Sequence, residues 1–392
     1  MGGEGHEPHH PPEHAVQLGP TVWAPEITGR ETVAEIIERM TAYVGREMRN
    51  GYRIFRRMVE EDHAIVLVFS GAMASAGLVG STIIPLVRRG IVDAICTTHA
   101  NVYHDLQRVC THEFREVDPN AGDLALRGAG QTRIYDHVFP EETLLDADRL
   151  VQEIVLQELF QEAMTTPTFH RRLANRLEAI ALQRNDAFQD RVAGTLVAVA
   201  AHHSVPMFCG APQDASIWLN VAYLEARGRL GLGPKCELSI DLAQDIREFA
   251  AYHLLAKEHG TKKLSVLIFG GGVPKNYALQ PEPFLSQVCG IATDGYDCDV
   301  QVCDAHVQNG GLSSCPAGEA HTWGKTSEAC VLQGSQYVFA DASLVAPLYV
   351  SALLGEMQNG TLRPKTPRRF LSRRGDALRL FDEKLHAAGV VS

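Results

Sequence analysis

Two periodicities alternate along the chain. From Glu31 the apolar residues Val33, Ile36, Ile37, Met40, Tyr43 and Val44 recur on one helical face, and the pattern runs through a break expected at Gly51 to about Glu61. Ala64–Phe69 (AIVLVF) is then apolar without interruption, as a strand buried on both faces of a parallel sheet must be. A turn of small residues from Ser70 to Gly77 opens a helix ending near Arg89. The unit repeats with a strand over 92–96, the turn Thr97-Thr98 and a helix through Asp105 to Arg108. Residues 110–200 read as a mixed loop and two mainly helical stretches, 145–164 and 169–199. Strand signals return at 205–208, 238–240, Leu264–Phe269 (LSVLIF), 300–303 and 336–339, with helices over 242–259 and 343–356. Strand, small-residue turn, helix, strand is the grammar of a doubly wound α/β fold, a mostly parallel sheet with helices on both faces. Residues 31–360 are expected to form one large domain of this kind. Ligands in such sheets sit at the C-terminal strand ends, where helix N-termini offer free amides.

Composition narrows the function. Across 392 residues the formal charge of −11 opposes a nucleic-acid binder, which needs a basic face. The longest apolar runs are strand-sized, short of the roughly 18 residues of a membrane span, and no charged-then-apolar leader opens the chain. Nine cysteines without a Cys-x-x-Cys pair suit reduced thiols in a cytoplasm better than disulfides or a zinc site. Residues 1–30 are rich in Pro, Gly and His (GHEPHHPPEH) and read as a disordered tail, although the four histidines there could hold a metal. Residues 361–392 carry Arg368, Arg369, Arg373 and Arg374 and read as a basic tail, solvated or docked on a partner subunit.

Candidate chemistry centres on residues 309–325 (NGGLSSCPAGEAHTWGK). A free lysine titrates near 10.4, so about one in a few thousand is neutral at pH 7. Burial beside an aromatic wall penalises the cation, and a desolvated lysine attacks carbonyls and imines. Lys325 after Trp323-Gly324 fits that use, and equally fits a surface lysine with its stem along the indole. Gly270-Gly271-Gly272 either lets backbone approach a ligand or makes a tight turn; it is not the Gly-x-Gly-x-x-Gly fingerprint. Asp341, at the start of the last sheet-associated helix, either caps that helix or accepts from a ribose.

Six segments together resemble the deoxyhypusine synthase family. They are the turn after the first strand, Val92-Asp93 through Thr97-Thr98 with Asp105-Leu106, Asp214-Ala215-Ser216, the triple glycine with Pro274-Lys275, Trp323-Gly324-Lys325, and Ala340-Asp341-Ala342-Ser343-Leu344-Val345. They keep the family's order and spacing over roughly residues 60–350. The resemblance implies a homotetramer of Rossmann-like subunits with NAD and amine bound between paired subunits. It implies that NAD takes a hydride from an amine carbon, that the active lysine captures the aminobutyl part as an imine, and that an acceptor amine receives it. The acceptor is a lysine of a translation factor in deoxyhypusine synthases and putrescine in related homospermidine synthases. Carried over, Lys325 matches the nucleophile, Trp323 the aromatic wall and Glu319 an acidic substrate contact, while Asn276 stands where the family places a substrate-contacting histidine. Ser75, Thr98, Asp214, Gly271, Ala305, Ser313, Ala340 and Asp341 fall on cofactor-contacting positions, and His104 stands where a glutamate would touch ligand and cofactor.

The departures bear on substrate. Tyr103, Leu219 and Leu312 occupy positions where spermidine-using members place acids, Gly71-Ala72 replaces a Ser-Asn pair, and His99-Ala100-Asn101 replaces Ala-Gly-Gly. Desolvating the roughly three charges of spermidine without carboxylates would cost several kcal/mol each. A less cationic or differently held small amine is therefore expected, with homospermidine-type transfer as one version. An oxidation that stops at the imine and a non-catalytic NAD-binding scaffold are the alternatives.

Overall fold

The computed structural model describes residues 21–110 and 114–391. Six strands form the central sheet: β1 (Ala64–Phe69), β2 (Ala94–Cys96), β3 (Met207–Phe208), β4 (Leu264–Phe269), β5 (Cys298–Cys303) and β6 (Ser335–Phe339). They lie in the order β6-β5-β4-β1-β2-β3 with every pairing parallel, β1 and β4 aligned from Ala64↔Leu264 to Phe69↔Phe269. This is the doubly wound order, two three-stranded halves running outward from a β1–β4 seam. Alternate residues of β1 feed two separate cores: Ile65, Leu67 and Phe69 one, Ala64, Val66 and Val68 the other. The connection leaving β1 packs in the first core through Val79, Ile83 and Leu86, while that leaving β4 packs in the second through Ala278 and Leu279. The chain thus departs to opposite faces at the seam, and a crevice opens at the C-terminal strand ends.

Several expectations change. The N-terminal helical run is not broken at Gly51: helices Val33–Glu38 and Tyr43–Glu60 meet at 39–42, and Gly51 lies inside the second. A Cβ at Gly51 would stand 2.5 Å from the Tyr349 hydroxyl, so the glycine admits a neighbour rather than ending a helix. The stretch 169–199 is three helices, Thr166–Ala181, Asp186–Ala193 and Leu196–His202, the latter two restarted by Asn185 and Thr195, whose side chains accept from Phe188 and Ala198 N–H. The mixed loop before them holds an antiparallel sheet of Arg115–Glu116, Gln131–Ile134 and His137–Pro140.

Residues beyond 360 are not a solvated basic tail. Helix Arg374–Val391 packs on Leu242–Glu258, with Phe370, Ala377 and Phe381 buried in the second core. Lys365 pairs with buried Asp93 at 2.6 Å, Arg368 with Asp62 at 3.1 Å and Arg374 with Glu248 at 2.9 Å. The arginines answer acids far away in sequence, which composition alone cannot disclose. At the other end, residues 21–30 are exposed; the rest of the His-rich tail, and its metal-binding possibility, lies outside the described residues. Among the described residues no helix is long and apolar enough to cross a membrane.

Candidate active site

The crevice at the seam is a cavity of about 230 Å³ walled by the turns that follow β1, β2, β3 and β4: Ser70, Thr97-Thr98, Cys209-Gly210-Ala211 with Asp214, and Gly271-Gly272, closed by Ser313. The glycine turn is required here. A Cβ on Gly271 would meet Ser313 at 2.7 Å, and Gly270, at φ +87°, lies against Ser70, whose Oγ accepts the Gly271 N–H at 2.9 Å. Asn101 ties two turns together: its Oδ1 accepts from Ala74 N–H at 3.1 Å and its Nδ2 donates to Thr97 and Thr98 hydroxyls at 3.2 and 3.3 Å.

Behind these turns His99, His170 and Trp218 form a buried chain. His170 Nδ1 donates to Met207 O at 2.8 Å, so its Nε2 accepts from His99 Nε2 at 2.9 Å, and His99 Nδ1 accepts the Trp218 indole N–H at 2.7 Å. This directionality needs both imidazoles neutral. Burial supplies that, holding His170 down to about 4 and His99 well below the usual range.

The loop after β5 is fastened from below. Gln301 donates to Gly270 O at 2.9 Å and Ser313 O at 2.8 Å, and Lys275 donates to Gln301 Oε1 at 2.6 Å and to Cys315 O. Lys275 is 1% exposed, and burial lowers its pKa against the opposing pull of Asp299. The chain then forms the short helix Ala317–Thr322 and turns at Gly324, φ +70°. Lys325 N donates to Ala320 O at 3.0 Å and its carbonyl accepts from Tyr296 N at 3.0 Å, so the lysine backbone is pinned on both sides. Its Nζ lies 3.3 Å from Asn276 Oδ1, on helix Gly272–Leu279, and 5.8 Å from the Trp323 ring centroid. Half-burial lowers the Lys325 pKa, with Cys315 and Glu319 pulling the other way.

The deoxyhypusine synthase family model matches residues 33–353. A deoxyhypusine synthase-like protein of Thermosynechococcus vestitus is 32% identical over 349 residues, covering 88% of this chain and 82% of its own. "Probable deoxyhypusine synthase 2" of Methanosarcina acetivorans is 30% identical over 326 residues, 82% of this chain and 86% of its own. The chain belongs to the deoxyhypusine synthase family. A crystal structure of an Entamoeba histolytica protein assigned to the deoxyhypusine synthases superposes with a TM-score of 0.53 over 85% of this chain and 96% of that one; at 17% identity it speaks for the fold alone.

Of the residues expected from the resemblance to contact a cofactor, Thr98, Asp214, Gly271 and Ser313 meet in the crevice. Ser75 does not: it is buried, its hydroxyl donates to Ala72 O at 3.0 Å, and it lines a different cavity with Arg108 and His137. His104 is turned to Gln107, Nδ1 to Oε1 at 2.8 Å, and burial lowers its pKa. Ala305, Ala340 and Asp341 follow β5 and β6, away from the crevice lining; Asp341 caps helix Ala342–Gln358, accepting from Ser343 N–H at 2.7 Å. Of the four residues expected on the substrate side, Lys325, Asn276 and Trp323 converge, while exposed Glu319 acts on Lys325 through space without a hydrogen bond to it among the described residues.

The departures from the family pattern also have places. Leu219 and Leu312 are exposed. Tyr103 is buried and donates to Asp148 Oδ1 at 2.7 Å, the same oxygen that accepts from Asn220 Nδ2 at 2.7 Å. A carboxylate from helix Glu141–Val155 therefore stands beside a position where the sequence lacks one, and nothing local to Tyr103 signals it. Nothing local in the sequence marks Lys275, Gln301 or Cys315 as functional either. Lys275 follows the triple glycine and Pro274, but its burial depends on two other segments.

Proposed function

We propose that this chain is an NAD-dependent aminoalkyl transferase that works through an imine on Lys325 and uses small-molecule amines, in homospermidine-type or related chemistry, rather than spermidine held in the ordinary way. The observation that carries this is the Lys325 amine, half-buried with its pKa lowered, 3.3 Å from a neutral amide and facing an indole. A charged-state lysine would be better served by a carboxylate; a nucleophile is not.

The crevice residues fit a dinucleotide: Gly271, where a side chain would collide with Ser313, with Thr98, Asp214 and Ser313 around it, would hold NAD at the β1–β4 seam. When bound, NAD supplies a hydride acceptor and donor. The protein's own part is to present a neutral Lys325 Nζ, whose lone pair forms a bond to an imine carbon of the oxidised amine and releases the departing amine. Asn276 orients that nitrogen as a hydrogen-bond acceptor but moves no proton. Trp323 is 57% exposed in the single chain. In a tetramer with sites between subunits a partner would cover it and keep water from the imine. All nine cysteines are free thiols, which supports a cytoplasmic setting.

The test is borohydride trapping. Incubation with NAD and a panel of labelled amines, followed by reduction, is expected to leave an adduct on Lys325 that is lost in Lys325→Ala. No adduct with any amine refutes the transferase reading. An adduct with accumulating NADH would instead mean that the reaction stops at the imine, a reading the open face of Trp323 favours if the site stays wet.

A further inference from the structure

The segment leading to Lys325 also walls a second cavity. About 170 Å³ in volume, it is lined by Asp299 and Gln301 on β5, Pro316, Ala317 and Gly318, Val331, and Ser335, Gln336 and Tyr337 of β6. Asp299 is 4% exposed, and among the described residues its carboxylate has no hydrogen bond and no ion pair. A buried carboxylate left bare is costly, and such groups are ordinarily paired.

The nearby donors are largely committed elsewhere. Lys275 gives two of its three hydrogens to Gln301 Oε1 and Cys315 O and acts on Asp299 through space, Gln301 Nε2 donates to Gly270 and Ser313 carbonyls, Gln336 Nε2 donates to Tyr337 O at 2.6 Å, and Tyr337 hydroxyl donates to Ala305 O. The polar lining is richer in acceptors than donors: the carboxylate of Asp299, the amide oxygen of Gln336, and the hydroxyl of Ser335, which can also donate. The other walls, Pro316, Ala317 and Val331, are apolar. A cationic donor on an aliphatic stem matches both halves of this lining; a bare inorganic cation leaves the apolar half unused.

We infer that this cavity binds the ammonium group of a small aliphatic amine, with Asp299 as its counter-ion. The inference rests on and deepens the proposed function by placing an amine site against residues 316–318, on the segment that leads to the reactive lysine. It differs from the acidic positions that Tyr103, Leu219 and Leu312 leave empty. Burial pushes Asp299 up to about 6 against the pull of Lys275. The other titratable groups felt there are Cys315, Cys330, Tyr296 and the lining Tyr337, all raised by burial and neutral, and Lys275, which burial lowers and which faces Asp299 from helix Gly272–Leu279. An ammonium ligand needs the ionised carboxylate, so affinity should fall with pH below about 6, approaching tenfold per unit.

Calorimetric titration of the full chain with n-butylamine and 1,4-diaminobutane, without NAD, tests this. Asp299→Asn should weaken binding at least about tenfold. It should still fold, because it replaces an unpaired buried charge by a neutral isostere. Val331→Trp, filling the cavity with the carboxylate intact, should do the same. Absence of binding, binding unaffected by both cavity variants, or equal competition by potassium chloride at the amine's own concentration would each overturn the inference. Asp299-dependent amine binding without any Lys325 adduct would leave this site standing and remove the transferase reading. An adduct with no Asp299-dependent binding would do the reverse.

Discussion

Lys275 and Lys325 flank the same segment of chain, both have pKa values lowered by burial, and only one has the bearing of a nucleophile. Lys275 is sealed in and its hydrogens go to Gln301 Oε1 and Cys315 O; it braces the loop that brings Ser313 onto the glycine turn. Lys325 is fixed through its backbone, while its Nζ has a single contact at 3.3 Å, the long end of the hydrogen-bond range. Desolvation disfavours the cation in both. The difference lies in what the nitrogen surrenders when it reacts: two short hydrogen bonds in one case, one weak one in the other. A depressed pKa alone does not distinguish a structural lysine from a reactive one; the number of acceptors holding it does.

The largest effect that would break this comparison comes from exchanging the two roles. Lys325→Arg keeps a long cation but cannot deprotonate, so imine trapping and turnover should fall by at least on the order of a thousandfold, as in Lys325→Ala. Stability to urea should change by less than about 0.5 kcal/mol, since the side chain is half-exposed and weakly held. Turnover surviving in Lys325→Arg but vanishing in Lys275→Arg would reverse the assignment.

The part of this comparison that a linear reading reaches is the contiguous part. Trp323-Gly324-Lys325 places indole and amine together by connectivity, and β1 and β4 are legible because a strand buried on both sides is apolar nearly throughout, with Ser265 the one polar residue of the two. The bracing role of Lys275 is not legible locally because Gln301 and Cys315 are 26 and 40 residues away. Gly51 resembles a helix break for the same reason, since Tyr349 arrives from the far end of the chain. Asp148 beside Tyr103, and Asp62 and Glu248 beside the C-terminal arginines, are likewise long-range answers to local gaps. The strand Arg115–Glu116 leaves no sequence signal because it is two exposed, charged residues with no apolar alternation to show.

A middle-sized effect sharpens the structural side. Lys275→Met keeps most of the buried stem but leaves Gln301 Oε1 and the Cys315 carbonyl without donors, which should cost about 1–3 kcal/mol in urea denaturation. Lys275→Ala adds a cavity and should cost about 2–5 kcal/mol. In a cycle with Gln301→Leu the losses should be strongly non-additive, because both substitutions release the same loop. Additive losses would mean that Lys275 does not act through Gln301, and its bracing role would fail.

The smallest effect is the most discriminating, because it leaves every catalytic atom in place. Asn276→Asp puts a carboxylate where an amide oxygen now lies 3.3 Å from Lys325 Nζ. Burial at present lowers the Lys325 pKa; a neighbouring anion favours the ammonium and raises it. Only the neutral amine attacks, so the rate rises with pH through the lysine pKa, and that acidic limb should move to higher pH in the variant. At neutral pH the variant should turn over on the order of tenfold more slowly, about 1.4 kcal/mol, and should recover toward the wild-type rate in alkaline buffer. Lys275, already surrounded by acceptors and next to Asp299, should show no comparable response to Gln301→Glu in the pH profile, only in stability. An unmoved profile in Asn276→Asp would mean that proton loss from Lys325 does not limit the reaction, and the light hold on its nitrogen would lose its functional meaning.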